Sequence, residues 1–191
     1  MGREFELKFA ALPEQQEKIL GDYGTFSAIS METTYYDTPD GSLSQRRITL
    51  RRRMENGVSV CTVKTPGSEG ARGEWELQWE DITTALPELC KLGCPEEVLS
   101  LTKQGLVEVC GARFTRLCNQ ISVEAAVVEL ALDRGVLLGG GKQMALCEVE
   151  VELKEGKEEA AVNFAQTLAR QYGLVPEKDS KFRRALALAQ P

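Results

Sequence analysis

The chain has 191 residues, 42% apolar and 27% charged, the make-up of a soluble globular domain with its own core. Its net charge of −6 argues against broad nucleic-acid binding through a basic surface. No apolar run reaches the ~20 residues of a membrane span, and Arg3, Glu4 and Glu6 interrupt the N-terminus where a signal peptide would be apolar. A cytoplasmic protein is expected.

The first predicted element is a strand in which Glu4, Glu6 and Lys8 alternate with Phe5, Leu7 and Phe9, so that charge occupies one face and apolar side chains the other. Leu12 to Tyr23 reads as a helix with Pro13 in its first turn. Residues 32–37 are β-branched and aromatic, hence strand, and Thr38-Pro39-Asp40-Gly41 is a turn signal. A strand over Arg46 to Arg53 puts Thr49, Arg51 and Arg53 on the face opposite Ile48 and Leu50. Asn56-Gly57 predicts a hairpin, and its return strand, near 58–65, places Thr62 and Lys64 together. Residues 72–79 alternate again: Arg72, Glu74, Glu76 and Gln78 against Gly73, Trp75, Leu77 and Trp79. Two tryptophans on one face require cover.

Between about 85 and 110 the pattern turns helical, and Gly93 and Pro95 split it into two short helices. Strands are expected at about 113–119, carrying Arg116, and at 122–133, carrying Glu129 and Asp133 on one face. Arg134-Gly135 is expected to open a turn and Gly139-Gly140-Gly141 to form a loose one. In 147–153, Glu148, Glu150 and Glu152 oppose Cys147, Val149, Val151 and Leu153. An amphipathic helix follows over 157–172, and Asp179-Ser180 caps a last helix, 181–189. The six cysteines are scattered; Cys90 and Cys94 form no zinc set and read as small apolar filler.

Eight strands of this kind, each with one charged face, suggest an α+β fold: an eight-stranded antiparallel β-barrel with a charged interior and helices packed outside. Such a lumen would be costly if dry and empty. The acids Glu4, Glu6, Glu148 and Glu150 repel one another unless a cation sits among them. The arginines and lysines call for an anion with many oxygens. A metal–polyphosphate complex satisfies both sets. The chain has no histidine, so a metal must be held by carboxylates, which suits Mg2+ or Mn2+. The proton acceptor is left as a metal-activated water, a carboxylate or Lys8.

The Glu-x-Glu-x-Lys at Glu4, Glu6 and Lys8 resembles the signature of the CYTH proteins, the triphosphate tunnel metalloenzymes. The resemblance continues in order through Tyr35-Tyr36-Asp37-Thr38, Leu50-Arg51-Arg52-Arg53, Thr62-Val63-Lys64, Arg72-Gly73-Glu74, Glu129 to Asp133, Glu148-Val149-Glu150 and Ser180-Lys181. It is greatest to the CYTH domain of bacterial inorganic triphosphatases. It implies one CYTH domain over 1–191, with Glu4, Glu6, Glu148 and Glu150 as metal ligands and, with Lys8, the catalytic set. Lys8, Arg51, Arg53, Lys64, Arg116, Lys181 and Arg184 would grip the triphosphate. Arg72, Glu74, Glu76, Glu129, Asp133 and Glu152 would support them. Arg52 and Arg113 fall on the other face and read as solvated surface. The expected activity is hydrolysis of inorganic triphosphate with Mg2+ or Mn2+. The alternatives are thiamine triphosphate as substrate, a class IV-type adenylate cyclase, and a non-catalytic polyphosphate- or nucleotide-binding module. A small-molecule triphosphate is the expected partner, with neither nucleic-acid polymer nor membrane, in a monomer or homodimer.

Overall fold

The computed structural model describes residues 2–66 and 72–190, the side chains of residues 2–4 and 72 being left aside. Among the described residues ten strands form one antiparallel sheet. They are β1 Gly2–Glu4, β2 Glu6–Ala10, β3 Ser27–Asp37, β4 Thr49–Glu55, β5 Val58–Pro66, β6 Arg72–Gln78, β7 Val107–Val123, β8 Ala126–Gly139, β9 Lys142–Gly156 and β10 Val175–Pro176. Their order is β1-β6-β5-β4-β3-β7-β8-β9-β2-β10. The helices are α1 Pro13–Asp22, α2 Ser42–Gln45, α3 Ile82–Lys91, α4 Glu96–Leu101, α5 Glu158–Tyr172 and α6 Lys181–Ala189.

The expected count of eight strands is corrected to ten. The N-terminal strand breaks at Phe5, whose carbonyl accepts from Leu153 N. Its first part, β1, pairs with β6 and its second, β2, with β9. A two-residue β10, too short to show a period, adds to the edge of β2.

Alternation sorts the side chains onto two faces. On the apolar face, Phe9, Leu130, Leu132, Val149 and Val151 pack with Ile19 of α1 and with Ala161, Ala165, Leu168 and Tyr172 of α5. Leu168 is fully buried, a gain of ~2 kcal/mol for a side chain of this size. Leu50, Cys61, Val63 and Trp75 are covered by Ile82, Ala85, Leu86 and Leu89 of α3 and Val98 of α4. Trp75 thus has its expected cover, whereas Trp79 lies past the end of β6 and is 40% exposed. The last helix, α6, lies across the charged face at one end, where Ala185 and Leu188 meet Met31, Ala112, Phe114, Leu137 and Leu146.

Several expected boundaries move. Arg46 to Ile48 do not begin β4; the short α2 ends there, and Asp37 caps it by accepting from Leu43 N at 2.9 Å and Ser44 N at 3.1 Å. Residues 107–110 belong to β7, not to a helix. Arg134-Gly135 opens no turn, because β8 runs on to Gly139. Gly135 serves close strand approach instead: a Cβ there would lie 2.1 Å from the Arg113 carbonyl. The turn expected among Gly139, Gly140 and Gly141 does form, at Gly140 and Gly141, both at positive φ. The Asn56-Gly57 turn forms as expected, also with both residues at positive φ.

Candidate active site

The charged faces of the strands converge on a cavity of about 320 Å3. Lys8 and Glu6 enter it from β2, Arg51 and Arg53 from β4, Lys64 from β5, and Glu74 and Glu76 from β6. Arg116 enters from β7, Glu129 from β8, and Glu150 and Glu152 from β9, while Ser180, Lys181 and Phe182 line it where α6 begins. These positions obey the two-residue period of the strands, which is why the sequence showed them. Glu4 and Arg72 face each other across β1 and β6, and their side chains lie outside the described residues.

At the α6 end the charges lock into a buried network. The Lys181 ammonium lies 2.8 Å from Asp133 Oδ2, 2.5 Å from Glu148 Oε2 and 2.6 Å from Glu150 Oε1. Arg116 donates to both oxygens of Asp133, at 2.8 and 2.7 Å, and its Nη2 also donates to Glu150 Oε2. Arg184 donates to Glu148 Oε1 and pairs with Glu177 at 3.6 Å. Asp133 and Glu148 are fully buried. Behind them, on the apolar face, the buried Gln16 of α1 donates to the backbone carbonyls of Asp133, at 3.1 Å, and Glu148, at 2.8 Å, fixing the two strands that carry the acids.

Burial alone would raise the Glu150 pKa, but Lys181 and Arg116 outweigh it and hold this carboxyl far below the usual carboxylate range. Burial likewise works against the charge on Lys181, and Glu150, Asp133 and Glu148 outweigh it, pushing its pKa up. Arg53 goes the other way: burial, then the neighbouring Arg51, lowers its pKa, and Glu55 opposes them. Cations are therefore crowded along β4.

The remaining sequence-expected residues fall around this network. Lys64 lies 3.3 Å and Arg51 3.7 Å from the same Glu74 oxygen, and the buried Arg51 Nε has no hydrogen-bond partner. Lys8 donates to the Asp179 carbonyl at 3.1 Å, tying β2 to the residue before the Ser180 cap of α6. Glu152 and Glu129, opposite each other in β9 and β8, share Lys154 at 3.0 and 3.8 Å. Arg184 and Glu148 do not line the cavity but bind each other beside it. Arg52 and Arg113 point away, to Glu80 and Glu32.

Asp133, given a supporting role from the sequence, joins Glu148 and Glu150 in a set whose oxygens lie within 4.8 Å of one another. Glu6 is one step along, opposite Glu152. Glu55 and Lys154 also line the cavity and lie just past the expected strand ends at 53 and 153, where continued alternation reaches both. Tyr35, with no charge to mark it in the sequence, also lines the cavity and packs on Phe182 with ring centroids 5.1 Å apart.

Comparison with known proteins bears on the fold and the family. The inorganic triphosphatase of Haemophilus influenzae is 26% identical over 195 aligned residues, covering 98% of this chain and 55% of that protein. The thiamine-triphosphatase of Macaca fascicularis is 34% identical over 56% of this chain and 49% of its own length. The chain thus spans about half the length of the curated relatives it matches. Among solved structures, a Pyrococcus horikoshii protein superposes with a TM-score of 0.64 at 24% identity, covering 97% of this chain and 99% of that one. An adenylyl cyclase-like protein of Hippeastrum with a dominant triphosphatase activity superposes at 0.61 and 18%, over 100% and 97% of the two chains. These two likenesses concern the fold. The CYTH domain model matches residues 2–186, nearly the whole length, and the chain belongs to the CYTH domain family.

Proposed function

We propose that this chain is a metal-dependent triphosphatase whose first substrate is inorganic triphosphate, cleaved to diphosphate and phosphate. The observation that carries this reading is the convergence of Lys8, Arg51, Arg53, Lys64, Arg116 and Lys181 on one cavity that is also lined by Glu150, with Asp133 and Glu148 beside it. A triphosphate is the compact ligand that needs so many donors, since phosphoryl transfer depends on positioning and on neutralising charge. Thiamine triphosphate is the second reading, favoured by the 34% identity to a thiamine-triphosphatase over 56% of the chain.

In this reading the sheet curls into a tunnel through its N-terminal strand. The pairing of β1 with β6 and of β2 with β9, on either side of Phe5, supports that closure. The whole of 1–191 acts as one domain. No helix among the described residues is long and apolar enough to cross a membrane; a cytoplasmic site of action is supported by the six free thiols.

The donor set fits a hard divalent cation. Asp133, Glu148 and Glu150 offer carboxylate oxygens close together, each with the Lys181 ammonium beside it, so a divalent ion bound there would share these oxygens with Lys181. These three would hold the ion, with Glu6 and Glu4 on the side of the N-terminal strand. When bound, such an ion neutralises phosphate charge and lowers the pKa of water. The chain's own groups do the rest. Arg51, Arg53 and Lys64 bind and orient the phosphates from one wall, and Lys8, Arg116 and Lys181 from the other. Glu150, its pKa depressed, stays ionised and serves as an anchor for cations rather than as a proton acceptor.

The test is product analysis with inorganic triphosphate, thiamine triphosphate and ATP, each with Mg2+, Mn2+ or chelator. Phosphate released from inorganic triphosphate and abolished by chelator is the expected result. Cyclic AMP and diphosphate from ATP would replace the reading with a cyclase. Binding without any product would leave a binding module.

A further inference from the structure

Far from the cavity, α3 ends in a loop that folds one cysteine back onto another. Gly93, at φ 98°, reverses the chain. Cys94 N then donates to the Leu89 carbonyl at 3.0 Å, and Gly93 N to the Cys90 carbonyl at 2.9 Å, the paired bonds of a glycine-closed helix end. This holds Cys94 beside Cys90, and the two thiols come within hydrogen-bonding reach of each other. A separation of four helical residues is ~6 Å, within the ~4–7 Å between Cα atoms that a disulfide spans. Cys90 is partly exposed, whereas Cys94 is buried. A second observation points into the same loop. Trp75 of β6 is 6% exposed, and its indole Nε1 has no hydrogen-bond partner. That nitrogen faces the loop between the two cysteines, 3.6 Å from where a Cβ on Gly93 would lie.

We propose that Cys90 and Cys94 form a dithiol modification site, closed to a disulfide by a hydroperoxide and reopened by a thiol reductant. It is independent of the triphosphatase reading. The Cys90 thiolate, reached from solvent, attacks one peroxide oxygen; the O–O bond breaks, hydroxide leaves, and Cys90 becomes a sulfenic acid. The Cys94 sulfur then attacks the Cys90 sulfur, and its proton leaves with the sulfenic hydroxyl as water. Two thiols and one hydrogen peroxide thus give one disulfide and two waters, the cysteines being oxidised and the peroxide reduced. An oxygen added in this loop is the acceptor that the Trp75 N–H lacks. Burial raises both thiol pKa values, that of Cys94 to about 12, and Glu96 adds to the rise at Cys90, so the first step is slow. Proximity favours the second step, because the resolving thiol is already in place when the sulfenic acid forms. The bridge carries no charge and suits its apolar neighbours, Leu86, Leu89 and Val98. In a reducing compartment it is a transient mark rather than a permanent staple.

The experiment treats the folded protein with hydrogen peroxide, blocks the remaining thiols with iodoacetamide and digests the chain with trypsin without reductant. Trypsin cuts after Lys91, between the two cysteines, so a bridge holds together the peptide that ends at Lys91 and the one that begins at Leu92. The expected result is this linked pair, two hydrogens lighter than its separate parts, as the main oxidised product. In a Trp79→Phe background Trp75 is the sole tryptophan, and its emission is expected to change in step with the bridge. Dithiothreitol reverses both. Cys90→Ser is expected to abolish both, with the far-UV circular dichroism of the unoxidised protein unchanged. Sulfinic acid at Cys90 without a bridge would overturn the proposal, as would a bridge from either residue to another cysteine. Two free thiols at 90 and 94, at a peroxide dose that oxidises any other cysteine, would also overturn it, and so would a bridge that forms only in urea.

Discussion

Lys181 occupies the position among Asp133, Glu148 and Glu150 where a positive charge is most needed, and at 11% side-chain exposure it has little access to water. Arg53 sits differently, crowded by Arg51 and paired with Glu55, so an incoming anion would offset its crowding. Arg53→Ala is expected to weaken triphosphate binding by ~2 kcal/mol, the loss of charge-assisted hydrogen bonds. Titration calorimetry measures it, and an unchanged affinity would place Arg53 outside the grip. Glu6, facing the cavity from β2, bears on the cation instead. Glu6→Gln is expected to fold normally and to lose metal-dependent turnover; unchanged turnover with unchanged metal dependence would remove it from the metal site.

At the scale of elements, α6 matters most, because it brings Lys181 and Arg184 to acids on β8 and β9. Two local features seat it. Ser180 caps its first turn by accepting from Arg183 N at 3.2 Å, and Gly139 lets it approach the β8–β9 hairpin so closely that a Cβ would lie 2.2 Å from the Ala185 carbonyl. Ser180→Ala is expected to cost ~1 kcal/mol of stability. Gly139→Ala is expected to cost about 1–3 kcal/mol as the helix is pushed away, and to weaken triphosphate binding more than Ser180→Ala does. Thermal unfolding and calorimetry on both variants check this; equal effects on binding would mean that the seat of α6 is irrelevant to the ligand.

For the molecule as a whole, the buried network makes stability depend on pH at both extremes. The Glu150 pKa is depressed, so its contribution is present above its unfolded value of 4.5 and is lost as pH falls toward the folded value. The Lys181 pKa is raised, so its contribution is present below the unfolded value of 10.5 and is lost as pH climbs through the folded one. Urea midpoints are expected to stay near a plateau between these limits and to fall on the acid side below 4.5. A midpoint that keeps rising on acidification would contradict the ion pairs at Glu150.

Much of this was legible in the residues because a strand repeats every two positions. Glu6 and Lys8, Arg51 and Arg53, and Glu150 and Glu152 announce a shared face wherever the strands pair. The Asn56-Gly57 turn and the Ser180 cap are equally local, written in residue types that suit particular backbone conformations. Three things depended on the tertiary structure. The Arg134-Gly135 pair looked like a turn, but the close approach of β7 required that glycine inside a strand. Asp133 looked like a supporting residue, and only the β7–β8–β9 register put it with Glu148 and Glu150 beneath Lys181. The α6 stripe could have packed on either face of the sheet, and the apolar patch of Ala112, Phe114, Leu137 and Leu146 decided for the charged one. Local periodicity determines which side chains share a face; which faces meet, and which charge lies against which, is decided by pairing between segments far apart in the chain.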